Sequence, residues 1–464
     1  MVLMTGVRYL LPDVPISSVD EYRAGGGGQG IVAARRLGPE ATVDEITASG
    51  LRGRGGAGFP TGVKWGSVQT AGGGRHYVVA NGAEGEPATF KDRMLMRRDP
   101  YRVIEGAAIA AWVVGAAEVF VATKRSFVTE IAALRRAAVE LGESGLLADL
   151  EVVIVEGPDE YLFGEEKALL EVIEGRDPLP RLLPPWQHGL FATVPAGGWE
   201  GEVVTGRGDS NPTVVSNVET MATAAHVLAQ GADWFRSTGT AQSPGNILCT
   251  VVGDVVRPGV FEVELGTPLA ELLALAGGPP AGRHWRAALS GVSNAVLPAA
   301  DFDVPLTYED MTARGSGLGA AGFVLYDDST DMLSVARELS RFLAVESCGQ
   351  CPPCKEGCMQ ITDRLLTIEV GGGSDSDLGE VQALLRQVTD ANRCYLGTQE
   401  QIVVSSILRR FPEDVAAHLE GTAPPLRSVL VPLVKDITDD GVVVYDERHA
   451  RKRPDWSFDD APST

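Results

Sequence analysis

The chain has 464 residues, 44% of them hydrophobic, and its 62 acidic side chains against 40 basic ones give a formal charge of −22. That length exceeds one ordinary core and predicts two to four domains. The charge argues against nucleic acid or an anionic membrane, whose phosphates would be repelled, and leaves small anionic ligands where positive charge is concentrated locally. The start, "MVLMTGVRYLLPDVP", lacks a basic leader followed by an apolar run and a small-residue cleavage site, so no signal peptide is expected. The longest apolar run, "GAAIAAWVVGAA" (106–117), stops at Glu118 and is too short to span a bilayer. Six cysteines, five of them C-terminal, suggest a reducing compartment and ligation rather than disulfides.

Residues 1–50 read as a helical lead-in, with "VDEITASG" stopped by Gly50. From 75 to 240 strands alternate with helices: "HYVVANG", "EVFVATK" and "LEVVIVEG" as strands, "YRVIEGAAIAAWVVG" as a helix. This is the grammar of an α/β layer. The segment 192–210 breaks it with glycines and reads as a surface loop or small hairpin, its "RGD" a chance match. From 245 to 330 a strand, an "RPG" turn, a second strand and a capped helix suit a small β-grasp-like domain closing near "GFVLYDD". From 331 to 430 apolar residues recur every three or four positions, as in a helical bundle. The tail, 431–464, carries two apolar runs around an Asp-Asp-Gly turn, a hairpin signal, and a basic cluster suited to docking a partner.

Two glycine-rich loops compete for a phosphate. "GGGGQG" (25–30) fits G-x-G-x-x-G formally, but no strand precedes it, and the pattern alone is weak. "GLRGRGGAGFPTGVKW" (50–65) is richer: Gly53, Gly55, Gly56 and Gly58 let backbone N–H groups approach an anion, and Arg54 and Lys64 supply charge. In "NGAEGEPATFKDR" Asn81, Glu84 and Glu86 follow a strand, where open α/β sheets bind ligands. Glu165 and Glu166 open a helix, where capping alone would also explain a carboxylate pair. No nucleophile elbow or H-E-x-x-H occurs, so a hydrolase has little support.

"ESCGQCPPCKEGC" places Cys348, Cys351, Cys354 and Cys358 within thirteen positions. A C-x2-C-x2-C triplet suits three corners of an iron–sulfur cubane, whereas zinc sites more often use two separated pairs. Literal reading of the ferredoxin run takes Cys358 as the fourth ligand. In two-cluster ferredoxins that cysteine serves the other cluster, and this chain offers no second ligand set. A remote thiolate is then needed: Cys394 in "RCYLG" is the candidate, while Cys249 lies in an apolar strand and reads as core.

Together these segments, with "YLFGEEKALLEVIEGR", "PTVVSNVET" and "GDVVRPGVFEV", resemble the flavin-carrying, NADH-oxidising F subunit of bacterial complex I. They are similar in the same order to its relatives in NAD-linked hydrogenases and formate dehydrogenases, over about residues 1–430. The resemblance implies a multidomain α/β fold: a Rossmann-like FMN- and dinucleotide-binding domain (1–240), a β-grasp domain (245–330) and a helical [4Fe–4S] domain (331–430). It implies cluster ligands Cys348, Cys351, Cys354 and Cys394. FMN contacts would map onto the 53–58 loop, Lys64, Asn81, Glu84 and Asn217, with Tyr161 and Glu165 nearby. NAD(H) or NADP(H) would be contacted by Glu86 and Glu166, with Phe59 and Trp186 against adenine. The implied reaction is hydride transfer from nicotinamide to flavin, then single electrons to the cluster and to a ferredoxin-like [2Fe–2S] or other iron–sulfur partner. The implied location is cytoplasmic, including the cytoplasmic face of a membrane complex, with no insertion into the bilayer.

The departures from the family concentrate in the dinucleotide pocket. Ala83 stands where an Asp is usual, Ser67 where an aromatic is usual, Lys167 where a Thr is usual and Leu183 where a Lys is usual. Each lost stacking contact is worth roughly 0.5–1.5 kcal/mol, which weakens nucleotide binding without abolishing it. An NAD(P)H-oxidising subunit is therefore weighed against an electron-transfer module that exchanges electrons with a protein. A zinc-stabilised interaction scaffold is the non-redox alternative.

Overall fold

The computed structural model describes residues 8–193, 209–425, 427, 429, 431–438 and 440–459. They gather into two compact units. The first comprises residues up to Gly85, Lys91–Leu248 and Glu262–Thr267; the second comprises Glu86–Phe90, Cys249–Phe261 and the chain from Pro268 onward.

The first unit opens with helices α1 (Val19–Ala24), α2 (Gln29–Leu37) and α3 (Pro39–Ser49). α3 starts on a proline, whose fixed φ suits a first turn, and stops where Gly50 takes φ 71°. Beyond α4 (Thr61–Gln69) come β1 (Tyr77–Asn81), α5 (Lys91–Arg98), α6 (Pro100–Val114), β2 (Glu118–Lys124), α7 (Val128–Glu143) and β3 (Glu151–Gly157). α8 (Glu166–Ile173), β4 (Thr213–Asn217), α9 (Val218–Gln230) and α10 (Ala232–Phe235) complete it. The strands form one parallel sheet in the order β3-β2-β1-β4.

The α/β alternation expected from the sequence is thus present. Strands covered on both faces read as unbroken apolar runs, as "YVVA" and "VFVAT" do. One face packs Tyr77, Val79, Phe120, Ala122 and Val215 against Phe163, Leu169, Leu170 and Leu190. The alternate residues Val78, Ala80, Val119, Val121 and Val214 are fully buried too. α6 and α9 approach closely because residue 106 is glycine: a Cβ there would lie 1.8 Å from the Met221 carbonyl oxygen.

The other sheet is five-stranded, ordered β6-β5-β9-β7-β8. Its strands are β5 (Asn246–Gly253), β6 (Gly259–Glu264), β7 (Trp285–Leu289), β8 (Leu297–Pro298) and β9 (Gly322–Asp327), with α11 (Leu269–Leu275) and α12 (Tyr308–Ala313) between them. β5 runs parallel to β9, and β7 antiparallel to it. The side-chain cap expected for α11 is absent, because Pro268 holds that position and offers no side-chain acceptor. Cys249 is buried within β5, as expected of a core residue.

Helices then dominate: α13 (Met332–Glu346), α14 (Pro352–Glu369), α15 (Asp375–Gln387), α16 (Leu396–Arg410) and α17 (Pro412–Leu419). Two prolines build the first turn of α14. A Ser374–Asp377 capping box opens α15. β10 (Val434–Ile437) and β11 (Val443–Tyr445) make the hairpin expected around the Asp-Asp-Gly turn. Of the 192–210 loop, positions 194–208 lie outside the described residues. Among the described residues no helix is long and apolar enough to cross a membrane.

Candidate functional site

β1 and β4 end on Asn81 and Asn217, which pair in register. β2 and β3 lie to one side of β1 and β4 to the other, so the sheet changes direction between β1 and β4. Open α/β sheets bind ligands outside the carboxyl ends of their strands at such a point. The 53–58 loop arrives there: a Cβ on Gly55 would lie 3.2 Å from the Asn217 Cβ. Gly56 (φ 124°) and Gly58 (φ 61°) adopt conformations that side chains disfavour. Lys64, on α4, donates to the Val215 carbonyl (2.9 Å) and to Glu166 Oε2 (3.1 Å). The Asn81 amide donates to the Gly164 carbonyl (2.8 Å) and the Asn217 amide to Asp92 (2.7 Å), while Asn217 Oδ1 caps α9 through the Glu219 N–H.

The surrounding carboxylates have distinct tasks. Glu84 accepts from the N–H groups of Asp92 and Arg93, at 3.2 Å each, at the start of α5. Burial, reinforced by the Asp92 charge, pushes its carboxyl up to about 7. Lys91 is buried between Asp92 (2.7 Å) and Glu219 (2.8 Å). Glu165 caps α8 through the N–H groups of Lys167 and Ala168, and burial raises its pKa. The capping explanation therefore holds for Glu165, whereas Glu166 faces Lys64. Tyr161 opens a short 3-10 turn, Tyr161–Gly164, against Gly85. Phe59 and Trp186 keep half-exposed rings, at 51% and 47%.

Two charges behave differently from the sequence expectation. The Arg54 guanidinium, 1% exposed, points inward and donates to the carbonyls of Asn246 (3.1 Å) and Pro244 (3.4 Å). Its positive charge ties the loop to this backbone. The "GGGGQG" loop holds an anion of its own chain: Glu105 accepts from the N–H groups of Gly28 (3.1 Å) and Ile31 (2.9 Å). Glu105 is a residue that sequence reading missed, because a lone Glu inside an apolar helix carries no motif. Glu86 belongs to the second unit, where its carboxylate accepts from the Val292 N–H (2.6 Å).

The cysteines lie in the second unit. Cys351 stands at the N-cap position of α14, Cys354 in its first turn, and Cys394 two residues before α16. Among the described residues, no three Cys, His, Asp or Glu side chains converge as one metal ion requires. A cluster makes no such demand, since each thiolate binds a different iron. Cys358 is fully buried one turn beyond Cys354 and hydrogen-bonds to its sulfur. That bond lowers the Cys354 pKa and raises that of Cys358. Ser347 Oγ lies 3.5 Å from the Cys354 sulfur, and Gln350 Nε2 lies 3.6 Å from Cys348 Sγ.

Comparison with known proteins agrees with this layout. Residues 46–226 match the Nuo51 FMN-binding domain, 248–291 the SLBB domain, and 334–418 the NADH-ubiquinone oxidoreductase-F iron-sulfur binding region. The second NADH-quinone oxidoreductase F subunit of Rhizobium meliloti (strain 1021) is 38% identical over 422 residues, spanning 88% of this chain and 96% of that one. The chain belongs to the family of NADH-quinone oxidoreductase F subunits. This F-family chain is also 36% identical over 390 residues to the alpha subunit of the NAD-reducing hydrogenase HoxS of Cupriavidus necator, covering 81% of itself and 60% of that subunit. A crystal structure of an NAD+-reducing [NiFe]-hydrogenase in the H2-reduced state matches with TM-score 0.74 and 29% identity, over 89% of the F-family chain and 67% of its counterpart.

The two donor sets fit the groups the family carries. The glycine cradle, the Lys64 ammonium and the Asn81 and Asn217 amides suit a phosphate-bearing flavin. Four cysteines, three of them in a C-x2-C-x2-C run, suit a [4Fe–4S] cluster.

Proposed function

We propose that this chain is the NAD(P)H-oxidising subunit of a multisubunit oxidoreductase, holding FMN on its first unit and a [4Fe–4S] cluster on its second. The observation that carries this reading is the in-register Asn81–Asn217 pair, with the glycine loop against Asn217 and Lys64 on the neighbouring Val215 carbonyl. When bound, the flavin takes two electrons from nicotinamide and passes them singly to the cluster.

The chain's own residues bind and orient. Lys64 provides the positive charge for the flavin phosphate, and the loop supplies backbone donors without side chains in the way. Asn81 and Asn217, each anchored by a second hydrogen bond, hold their amides in fixed directions. Glu165 is committed to the α8 backbone, which fixes the direction of Glu166 beside it. On the first unit, Glu166 contacts the nicotinamide dinucleotide, and Phe59 and Trp186 take its adenine. The cluster is held by Cys348, Cys351, Cys354 and Cys394, with Cys358 a hydrogen-bonded bystander. A [2Fe–2S] or other iron–sulfur protein would be the electron-accepting partner.

A second reading, electron exchange with a protein in place of a nucleotide, is favoured by residues of the pocket. Ser67 turns its hydroxyl onto the Lys64 carbonyl (2.8 Å), and Ala83 is buried in the apolar cluster under the sheet, so neither offers a ring or a carboxylate. The Lys167 ammonium lies 3.8 Å from Glu165, which shares its charge. Steady-state assay of the loaded chain with NADH, NADPH and a one-electron dye separates the two. Dye reduction by either nucleotide supports the first reading; dye reduction by dithionite-reduced ferredoxin alone supports the second.

A further inference from the structure

α13 ends at Glu346, two residues before Cys348, so the place where that helix stops sets where the first cysteine of the triplet stands. The last carbonyls of a helix lack donors within it. Here the C-terminal tail and α14 supply them. The Trp456 indole N–H donates to the Val345 carbonyl (2.9 Å). Lys355 donates to Ala344 (3.0 Å) and Ser347 (2.8 Å) and also holds the tail through the Pro454 carbonyl (2.6 Å).

Charge joins the same segments. The Glu346 carboxylate, 2% exposed, meets Lys452 Nζ (2.8 Å) and His449 Nε2 (2.9 Å), and Lys452 is itself only 6% exposed. Arg341, earlier on α13, donates to the carbonyls of Ala450 (2.7 Å), Lys452 (3.2 Å) and His449 (3.3 Å). The His449 ring packs 5.1 Å from that of Phe342. The basic cluster of the tail is therefore largely committed within the chain: Arg448 pairs with Asp446 and Arg453 with Asp459.

We infer that residues 447–459 form a strap that fixes the end of α13, and that Lys452, His449 and Trp456 are positioning residues for Cys348. The physical reason is the cost of a buried carboxylate that loses its ammonium partner. Without Lys452, Glu346 keeps the His449 contact but not the Lys452 charge, and water replaces that charge when the end of α13 opens, moving Ser347 and Cys348 with it. The inference rests on the cluster reading for what Cys348 binds, not for how the strap packs.

The test compares the full-length wild type with K452M, K452R and W456F. In the cluster-free chain, the alkylation rate of Cys348 is read by peptide mass spectrometry, with Cys394 as internal control. K452M is expected to react about tenfold faster at Cys348 with Cys394 unchanged, and K452R to stay near wild type. W456F, which leaves the charge pair intact, is expected to react faster by a smaller factor. In the loaded chain, K452M is expected to release iron to a chelator faster and to alter the electron paramagnetic resonance signature of the reduced cluster. Equal Cys348 reactivity in wild type, K452M and W456F overturns the strap, as does a lowered unfolding temperature with Cys348 reactivity unchanged. Should K452M not fold, W456F alone decides. If the wild type takes up no iron, the cluster reading fails while the alkylation result still judges the strap.

Discussion

Asn81 and Asn217 occupy matched positions at the carboxyl ends of adjacent parallel strands, and Asn217 uses both ends of its amide, Oδ1 on the α9 backbone and Nδ2 on Asp92. In the proposed flavin site Asn217 is at once helix cap and ligand-facing donor. N217S separates them, because serine is also a good helix cap. Stability should change by less than about 1 kcal/mol, while FMN affinity falls about tenfold with the lost amide. Calorimetry and flavin fluorescence titration read the two effects independently.

Lys64 lies six residues beyond the glycine loop; of the two nearer cations, Arg52 donates to the Gly58 carbonyl (2.8 Å) and Arg54 is turned inward. If Lys64 serves the phosphate, K64M should weaken FMN by about ten- to a hundredfold, the worth of a charge-assisted hydrogen bond. Riboflavin, which lacks the phosphate, should be little affected. Equal losses for the two flavins would remove Lys64 from the phosphate site.

The thiols give a paired prediction. C394S should lose or degrade the iron–sulfur chromophore, whereas C358S should keep it, since Cys358 is the buried thiol that donates to Cys354. Iron and sulfide analysis after anaerobic reconstitution measures this. Retention in C394S with loss in C358S would reverse the ligand assignment.

Glu400, fully buried on α16 and bonded through Oε1 to Ser340, supplies a pH test. Burial, with a contribution from Cys354, raises its carboxyl from 4.5 to about 8. A group whose folded pKa is raised contributes stability that is full below the unfolded value and lost as pH rises through the folded one. The cluster-free chain should therefore lose stability between about pH 4.5 and 8, by at most about 5 kcal/mol for a shift of this size. E400Q should flatten that slope in denaturant unfolding. An unchanged slope would mean that Glu400 does not titrate in this range.

How legible the molecule was in its sequence depended on whether the relevant neighbours were local. β1, β2, β3 and α6 could be read because their apolar runs and period are properties of a few consecutive residues. The hairpin of β10 and β11 announced itself through its turn. The fate of Arg54 did not, since the carbonyls that take its guanidinium belong to Pro244 and Asn246, far along the chain. Glu105 was silent for the same reason, its partners being N–H groups of Gly28 and Ile31. The tail read as a free basic segment because nothing local shows that Lys452 meets Glu346. At the candidate site the residues were nameable from motifs, but which carboxylate caps a helix and which faces Lys64 required the fold.

The proposed reaction is reduction, by nicotinamide, of a flavin held on the first unit. It is tested most directly by adding NADH, and separately NADPH, anaerobically to the chain loaded with FMN and iron while following the flavin's visible absorbance. Prompt bleaching by at least one nucleotide is predicted, followed by the spectroscopic signature of a reduced cluster. Flavin that stays oxidised with both nucleotides, yet bleaches with dithionite, would contradict it.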